Sequence, residues 1–430
     1  MDSFFKILNM RRLYYHMMSD GHLVWQYNDK ISVEKLIEYK IKRINFTLAY
    51  NQPIEYLPDD IEEIIFESPY NEHDDIDECN VYTYPELTSI DGFTFFNQPV
   101  FKWPMNLKLL YVGKSFDFPL DNLPEGLEEL ILGWAYNNSL DNLPSSLKII
   151  RFDQSVFIDE SQEVRGCRFN KPIDNLPKGL LFLELGKHFN QPIDFLPATL
   201  KELYLDNEFN QPINNLPEGL ENLHLSFFFN HPIDNLPINL RELNIRKNFT
   251  FPLDNLPGNL KILNFDSSSL FNLSLDLLPI GLEEINFGYY FNKPINNLPE
   301  NLKIIRFGVK FNQAIDCLPN SIKIIHFHED SQFNQPIQRL PDNLEILYFG
   351  NIFNNTIYSY PLNLKKIEFK KNFNQNIDNL PDSIECILLK KSFDKVIKRL
   401  PKNLHKFFLS DKYSKQLPET NAEILKIYFG

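Results

Sequence analysis

A proline that returns about every twenty residues is the feature that most limits what this chain can become. Leu-Pro occurs at Leu123-Pro124, Leu143-Pro144, Leu176-Pro177, Leu196-Pro197, Leu216-Pro217, Leu236-Pro237 and Leu256-Pro257, and similar pairs run from Leu57-Pro58 to Leu417-Pro418. Trp103-Pro104 and Tyr360-Pro361 take the same place. Two-residue insertions precede Pro279 and Pro341, and a thirteen-residue insertion precedes Pro177. A period this regular argues against two or three ordinary globular domains in 430 residues. It implies one small unit stacked on itself many times.

Counted from each proline, apolar residues fall at +3, +6, +8, +12, +16 and +19, as in Leu200, Leu203, Leu205, Phe209, Ile213 and Leu216 after Pro197. The +6 and +8 pair alternates as a strand does, so each repeat carries one short strand. Between +12 and the next proline a second proline is common (Pro192, Pro212, Pro232), which leaves no room for a helix. The return path is expected to be extended or polyproline-like. The fold class that follows is a repeat solenoid with parallel strands and little helix. Its Phe column, Phe169 to Phe393, is expected to stack at about one strand spacing, roughly 4.8 Å. Beside it an Asn column (Asn170, Asn190, Asn210, Asn230 and onward) is expected to be buried and to bond to the neighbouring turn. Asp-Asn pairs at +17 and +18, such as Asp174-Asn175, are turn residues by preference.

The string Phe-Asn-Gln-Pro-Ile-Asp-Phe-Leu-Pro at Phe189 to Pro197 resembles the FNIP repeat, a relative of the leucine-rich repeat. Variants follow at Phe291-Asn292-Lys293-Pro294-Ile295 and Phe311-Asn312-Gln313-Ala314-Ile315, and the inner proline is lost near Asn137 and Thr356. The resemblance implies a leucine-rich-repeat-like solenoid whose usual task is holding other proteins. Some relatives carry an N-terminal F-box, so it also implies an alternative: a substrate receptor that meets a ubiquitin-ligase adaptor through a divergent F-box-like segment.

The repeat pattern begins near residue 38, at Ile41, Ile44 and Phe46, and runs to residue 430. Residues 1–37 fall outside it and form a terminal cap or the adaptor contact. Within them Ser32 to Ile37 reads as a short helix, with Ser32 suited to cap it. Insertions at 67–80, rich in Glu and Asp, and at 153–168 read as loops leaving the stack.

A net charge of -14 and a pI near 5.2 repel phosphate backbones, so nucleic acid is not expected as a partner. No apolar run reaches the roughly eighteen residues needed to span a bilayer. Cys79, Cys167, Cys317 and Cys386 form no C-x-x-C pair and read as packed free thiols of an intracellular protein. No nucleophile, metal or phosphate motif is present, so neither an enzyme nor a cofactor is expected. His326 and His328 share a face but lack a third ligand.

What varies is +7, which lies between the two inward strand positions and must face the other side of the sheet. It reads Tyr204, His224, Asn244, Asn264, Asn286, Arg306, His326 and Tyr348, the expected contact residues for a protein partner. Glu202, Asp206, Glu242 and Arg246 flank it. Residues 361–430 hold 14 Lys+Arg against eight Asp+Glu, a net +6 that leaves -20 for the rest, so this end could dock an acidic surface.

Overall fold

The computed structural model describes residues 15–17, 22–25, 33–47, 50–68, 96–153, 157–158, 164–165, 167–390 and 392–427. The chain divides into two units, Met1–Phe209 and Asn210–Gly430, and each is a parallel β-solenoid. The first unit contains β1 (Tyr15–Met17), β2 (His22–Trp25), β3 (Arg43–Thr47), β4 (Glu63–Ser68), β5 (Leu109–Tyr111), β6 (Glu129–Leu132), β7 (Ile149–Phe152), β8 (Phe157–Ile158), β9 (Val164–Arg165), β10 (Phe182–Glu184) and β11 (Glu202–Tyr204). The second contains β12 (Asn222–His224), β13 (Glu242–Ile245), β14 (Ile262–Phe265), β15 (Glu284–Asn286), β16 (Ile304–Phe307), β17 (Ile324–Phe327), β18 (Ile346–Tyr348), β19 (Lys366–Phe369), β20 (Cys386–Leu389), β21 (Lys406–Ser410) and β22 (Glu423–Ile427).

Within the second unit every strand pairs in parallel with the next, from β12 to β22. The first unit does the same from β2 to β7, after which β7 pairs directly with β10. The insertion at 153–168 therefore leaves the sheet, and its described residues include the antiparallel pair β8–β9. Of the acidic insertion at 67–80, residues beyond Ser68 lie outside the described residues, as do Cys79 and most of residues 1–37. The helix expected there is present as α1 (Val33–Glu38), and its own Leu36 is buried. The parallel order also reaches back before residue 38, because β2 pairs with β3 and β1 runs antiparallel to β2.

One turn shows how the sequence makes the coil. The Pro299 carbonyl accepts the Leu302 N–H at 3.1 Å, closing a tight turn that starts the strand. The Lys303 and Ile304 N–H groups then both donate to Glu283 O of the preceding turn, at 2.8 and 3.1 Å. Leu302, Ile305, Phe307, Phe311, Ile315 and Leu318 are all buried, the six positions that the spacing picked out. Each such side chain contributes about 2 kcal/mol of burial, available only when a neighbouring turn covers it.

The Phe column forms in each unit with its rings nearly parallel: Phe169–Phe189 at 6.0 Å, Phe291–Phe311 at 6.3 Å and Phe353–Phe373 at 6.1 Å. That is wider than one strand spacing. Rings at +8, on or next to the strands, lie closer, with Phe307–Phe327 at 4.9 Å and Phe349–Phe369 at 5.4 Å, so the turns spread with distance from the sheet. In the second unit a Phe at +8 doubles the column, and Phe287, Phe307, Phe349 and Phe369 lie 3.7–4.0 Å from the +12 ring of their own turn.

The Asn column is at the surface or half-buried rather than buried, yet it stitches the turns together. Each side-chain carbonyl accepts the backbone N–H of the matching residue one turn on: Asn190 N to Asn170, Asn312 N to Asn292 and Asn374 N to Asn354, all at 2.9 Å. The Asp-Asn turns add a second stitch, since Asn175 and Asn297 Nδ2 donate to Asp141 and Asp276 at 3.0 Å. Both two-residue insertions have the same solution. Buried Ser269 and Ser331 accept the N–H of Phe271 and Phe333, which holds each displaced ring in the column. Cys167 packs as expected, but Cys317 is exposed because it replaces the Asn of an outward turn.

A charge column at +4 emerges only once the register is known. Glu62 bridges Lys42 and Lys108 at 3.1 Å each, Glu283 bridges Lys303 and Lys261 at 2.5 and 3.1 Å, and Glu345 bridges Lys365 and Lys323 at 3.0 and 3.2 Å. Hydrogen bonds from these lysines hold all three carboxyls below the usual carboxylate range. A depressed native pKa gives stability that is full above the unfolded value, about 4.3, and lost as pH falls through the native one. The urea midpoint should therefore fall on acidification below about pH 4.5, and about 1 M salt should blunt that fall because the groups are exposed. An acid limb unchanged by salt would show that the ladder contributes nothing.

Candidate partner-binding face

Strand alternation sends +6 and +8 inward, which leaves +5 and +7 on the outward face of each sheet. The register then aligns +7 into a row. His224 pairs with Asn244, Asn244 with Asn264, Asn264 with Asn286, Asn286 with Arg306, Arg306 with His326 and His326 with Tyr348. All seven belong to the second unit and are half-buried. Tyr204 belongs to the first, on β11, where its ring lies 5.1 Å from Phe182 and its hydroxyl donates to Glu202 at 3.4 Å.

The row is held by its own hydrogen bonds, and they run one way. Arg306 donates to Asn286 Oδ1 at 2.7 Å and pairs with Glu284. Asn286 Nδ2 donates to Asn264 Oδ1, Asn264 Nδ2 to Asn244 Oδ1 at 2.9 Å, and Asn244 Nδ2 to His224 Nε2 at 3.2 Å. The guanidinium can only donate, so the amide orientation is set from that end. Glu284 and Glu242 accept the second N–H of Asn286 and Asn244, at 3.0 and 2.9 Å. The outcome is a line of side chains fixed before any partner arrives, which lowers the ordering cost of binding.

His224 must accept in this arrangement, and burial, with Arg246 adding to it against Glu242, pushes its pKa down to about 4. Burial, aided by Arg306 and Lys370, lowers that of His326 too, and its ring meets Tyr348 edge-on at 5.4 Å. Both imidazoles are neutral at pH 7. Beyond them Lys366 Nζ sits 5.0 Å over the Tyr348 ring, and Lys370 pairs with Glu368 at 2.6 Å. Among the described residues no group of three or more His, Cys, Asp or Glu could hold a metal ion, and no helix is long and apolar enough to cross a membrane.

The FNIP Repeat family model matches residues 118–155, 169–208, 271–310 and 291–330. The chain carries FNIP repeats. No curated protein matches it. Among solved structures it is similar to YopM from Yersinia enterocolitica WA-314, at 20% identity and a TM-score of 0.53 over 90% of this chain and 82% of that one. It is also similar to TLR13 in a complex with ssRNA13, at 14% identity and a TM-score of 0.56, covering 90% of this chain and 62% of that one. CroV588, a circular LRR protein from a giant virus, aligns at 24% identity and a TM-score of 0.46, over 94% and 75% of the two chains. The likenesses to YopM and TLR13 show a leucine-rich-repeat-like fold for the FNIP repeats.

Proposed function

We propose that this FNIP-repeat chain is an intracellular, non-enzymatic scaffold that holds a protein partner on the outward face of its parallel sheet. One observation carries the reading. On a core whose columns hardly change, the outward row changes from strand to strand, carries Tyr and Arg, and is fixed in place by cross-turn hydrogen bonds. The acidic net charge weighs against a nucleic-acid partner.

Replacing His224, Arg306 and Tyr348 together by Ala removes half-buried side chains from the outward face of the second unit and leaves the core columns intact. At about 2 kcal/mol for each of three hot-spot residues, capture of the partner should weaken by at least about a thousandfold while the circular dichroism stays unchanged. Capture retained by a folded triple variant would rule out this face. The same pull-down separates the ubiquitin-ligase alternative: an adaptor bound by the full chain and lost on deleting residues 1–37 would favour the receptor role.

A further inference from the structure

Two residues before the polar row, on the same outward face, lies a second row: Glu284, Ile304, Ile324, Ile346 and Lys366, paired one to the next across β15 to β19. The three isoleucines are half-buried, each leaving part of its side chain open, although the sheet has apolar columns on its other face to bury them against. At about 4.8 Å per strand, the acid and the base that close the row stand about 19 Å apart.

The two ends differ in what they offer a visitor. At the Glu284 end both N–H groups of Asn286 and of Asn264 are already spent on neighbours. Arg306 and Asn286 both donate to Glu284 Oε1, and no described group donates to Oε2. That end has acceptors left to give, whereas the Lys366 ammonium at the other end can only donate. A complementary segment brings a cation to the first, a carboxylate to the second and apolar side chains between them.

Spacing selects the conformation of that segment. The backbone groups of β15 to β19 are engaged in parallel pairing, so a visitor meets the face through side chains alone. Side chains on one face of an extended strand repeat every ~6.8 Å, whereas those on a helix ridge repeat every ~5.4 Å, closer to the ~4.8 Å of the isoleucine row. Spanning about 19 Å takes about 13 helical residues. Acids in the first turn and bases in the last are also what the helix dipole favours, which sets the N-terminus over Lys366.

We propose that the Ile304–Ile324–Ile346 row docks an amphipathic helix of the partner protein, its acidic first turn on Lys366 and its basic last turn on Glu284. This rests on the partner-binding reading of the outward face and specifies what that face takes. The test adds three fluorescein-labelled, lactam-bridged peptides of about 14 residues to the full chain and follows anisotropy, the bridge being needed because short helices are marginal in water. The first has Glu at its N-terminus, leucines along one stripe and Lys at its C-terminus; the second disperses the same leucines around the helix; the third has Lys at both ends.

The first peptide should bind at least tenfold more tightly than the second, and Ile324→Lys should abolish its binding. Lys366→Glu should weaken the first peptide about tenfold and strengthen the third, a swap that misfolding cannot imitate. Equal binding of the striped and dispersed peptides, no swap at Lys366, or no binding of any peptide would overturn the proposal. If no peptide binds while the triple-alanine variant still loses its partner, the helix assignment fails and the partner-binding face stands.

Discussion

Phe311→Ala should open the middle of the second unit while leaving the first unit as it was. Phe311 is fully buried, with the Phe307 ring 4.0 Å away in its own turn and Phe291 and Phe333 at 6.3 and 6.2 Å in the neighbouring turns. Truncating a buried aromatic costs about 3–5 kcal/mol, because the lost transfer energy is joined by a cavity that rigid neighbours cannot close. In a stack the loss falls mainly on the turns that touch the cavity. Hydrogen exchange should show protection falling by two to three orders of magnitude, about 3–4 kcal/mol, across β15 to β17, with β5 to β7 unaffected. Phe228, which is 46% exposed, is the control, and its replacement should cost less than about 0.5 kcal/mol. Unaltered protection in β15 to β17 would mean that the ring column is not what holds these turns together.

The second large effect comes from adding a single methyl group. A Cβ built on Gly308 would lie 2.0 Å from Gly288 O and 3.2 Å from Phe287 O, all of it backbone of the preceding turn. The constraint is one of space between coils. No side chain can swing aside to make room, so Gly308→Ala has to pry the turns apart, at a cost of about 3 kcal/mol, the upper part of the usual range for overpacking. Gly258→Ala is the matched comparison, because nothing lies within 4 Å of a Cβ there. A Gly308→Ala chain with the urea midpoint of the Gly258→Ala chain would contradict the close approach.

Much of this fold could be read from spacing because a solenoid repeats in sequence what it repeats in space. The six inward columns, the proline turn and the inward-outward sense of the +7 row needed only a count from each proline. The asparagines were legible as cross-turn stitches but not as surface residues, since one carbonyl oxygen can bond to the next turn while the rest of the amide faces water. Ring separation was not legible either: strand spacing sets the pitch at the sheet, whereas the +12 rings, four residues past the inward strand position, sit where successive turns are wider apart.

The remaining features depend on neighbours that are twenty residues apart. Ile304, Ile324 and Ile346 sit in a column that reads as variable and often polar along the chain, and only the register shows three of them in adjacent strands. The directional bonding from Arg306 to His224 likewise needs side-chain geometry that no spacing contains. The strand at His22–Trp25 had no proline before it to announce it.

Turns this alike pose a problem during folding, since one coil fits against almost any other. The lysine and glutamate positions give the coils a sense of order that their apolar faces lack. If the coil bearing Glu283 is looped out, Lys261 meets Lys303; if the one bearing Glu345 is skipped, Lys323 meets Lys365. Each mistake exchanges two attractions for a repulsion. Exposed pairs are individually worth only about 0–1 kcal/mol, so their influence falls on which assembly forms rather than on how firmly the finished one holds.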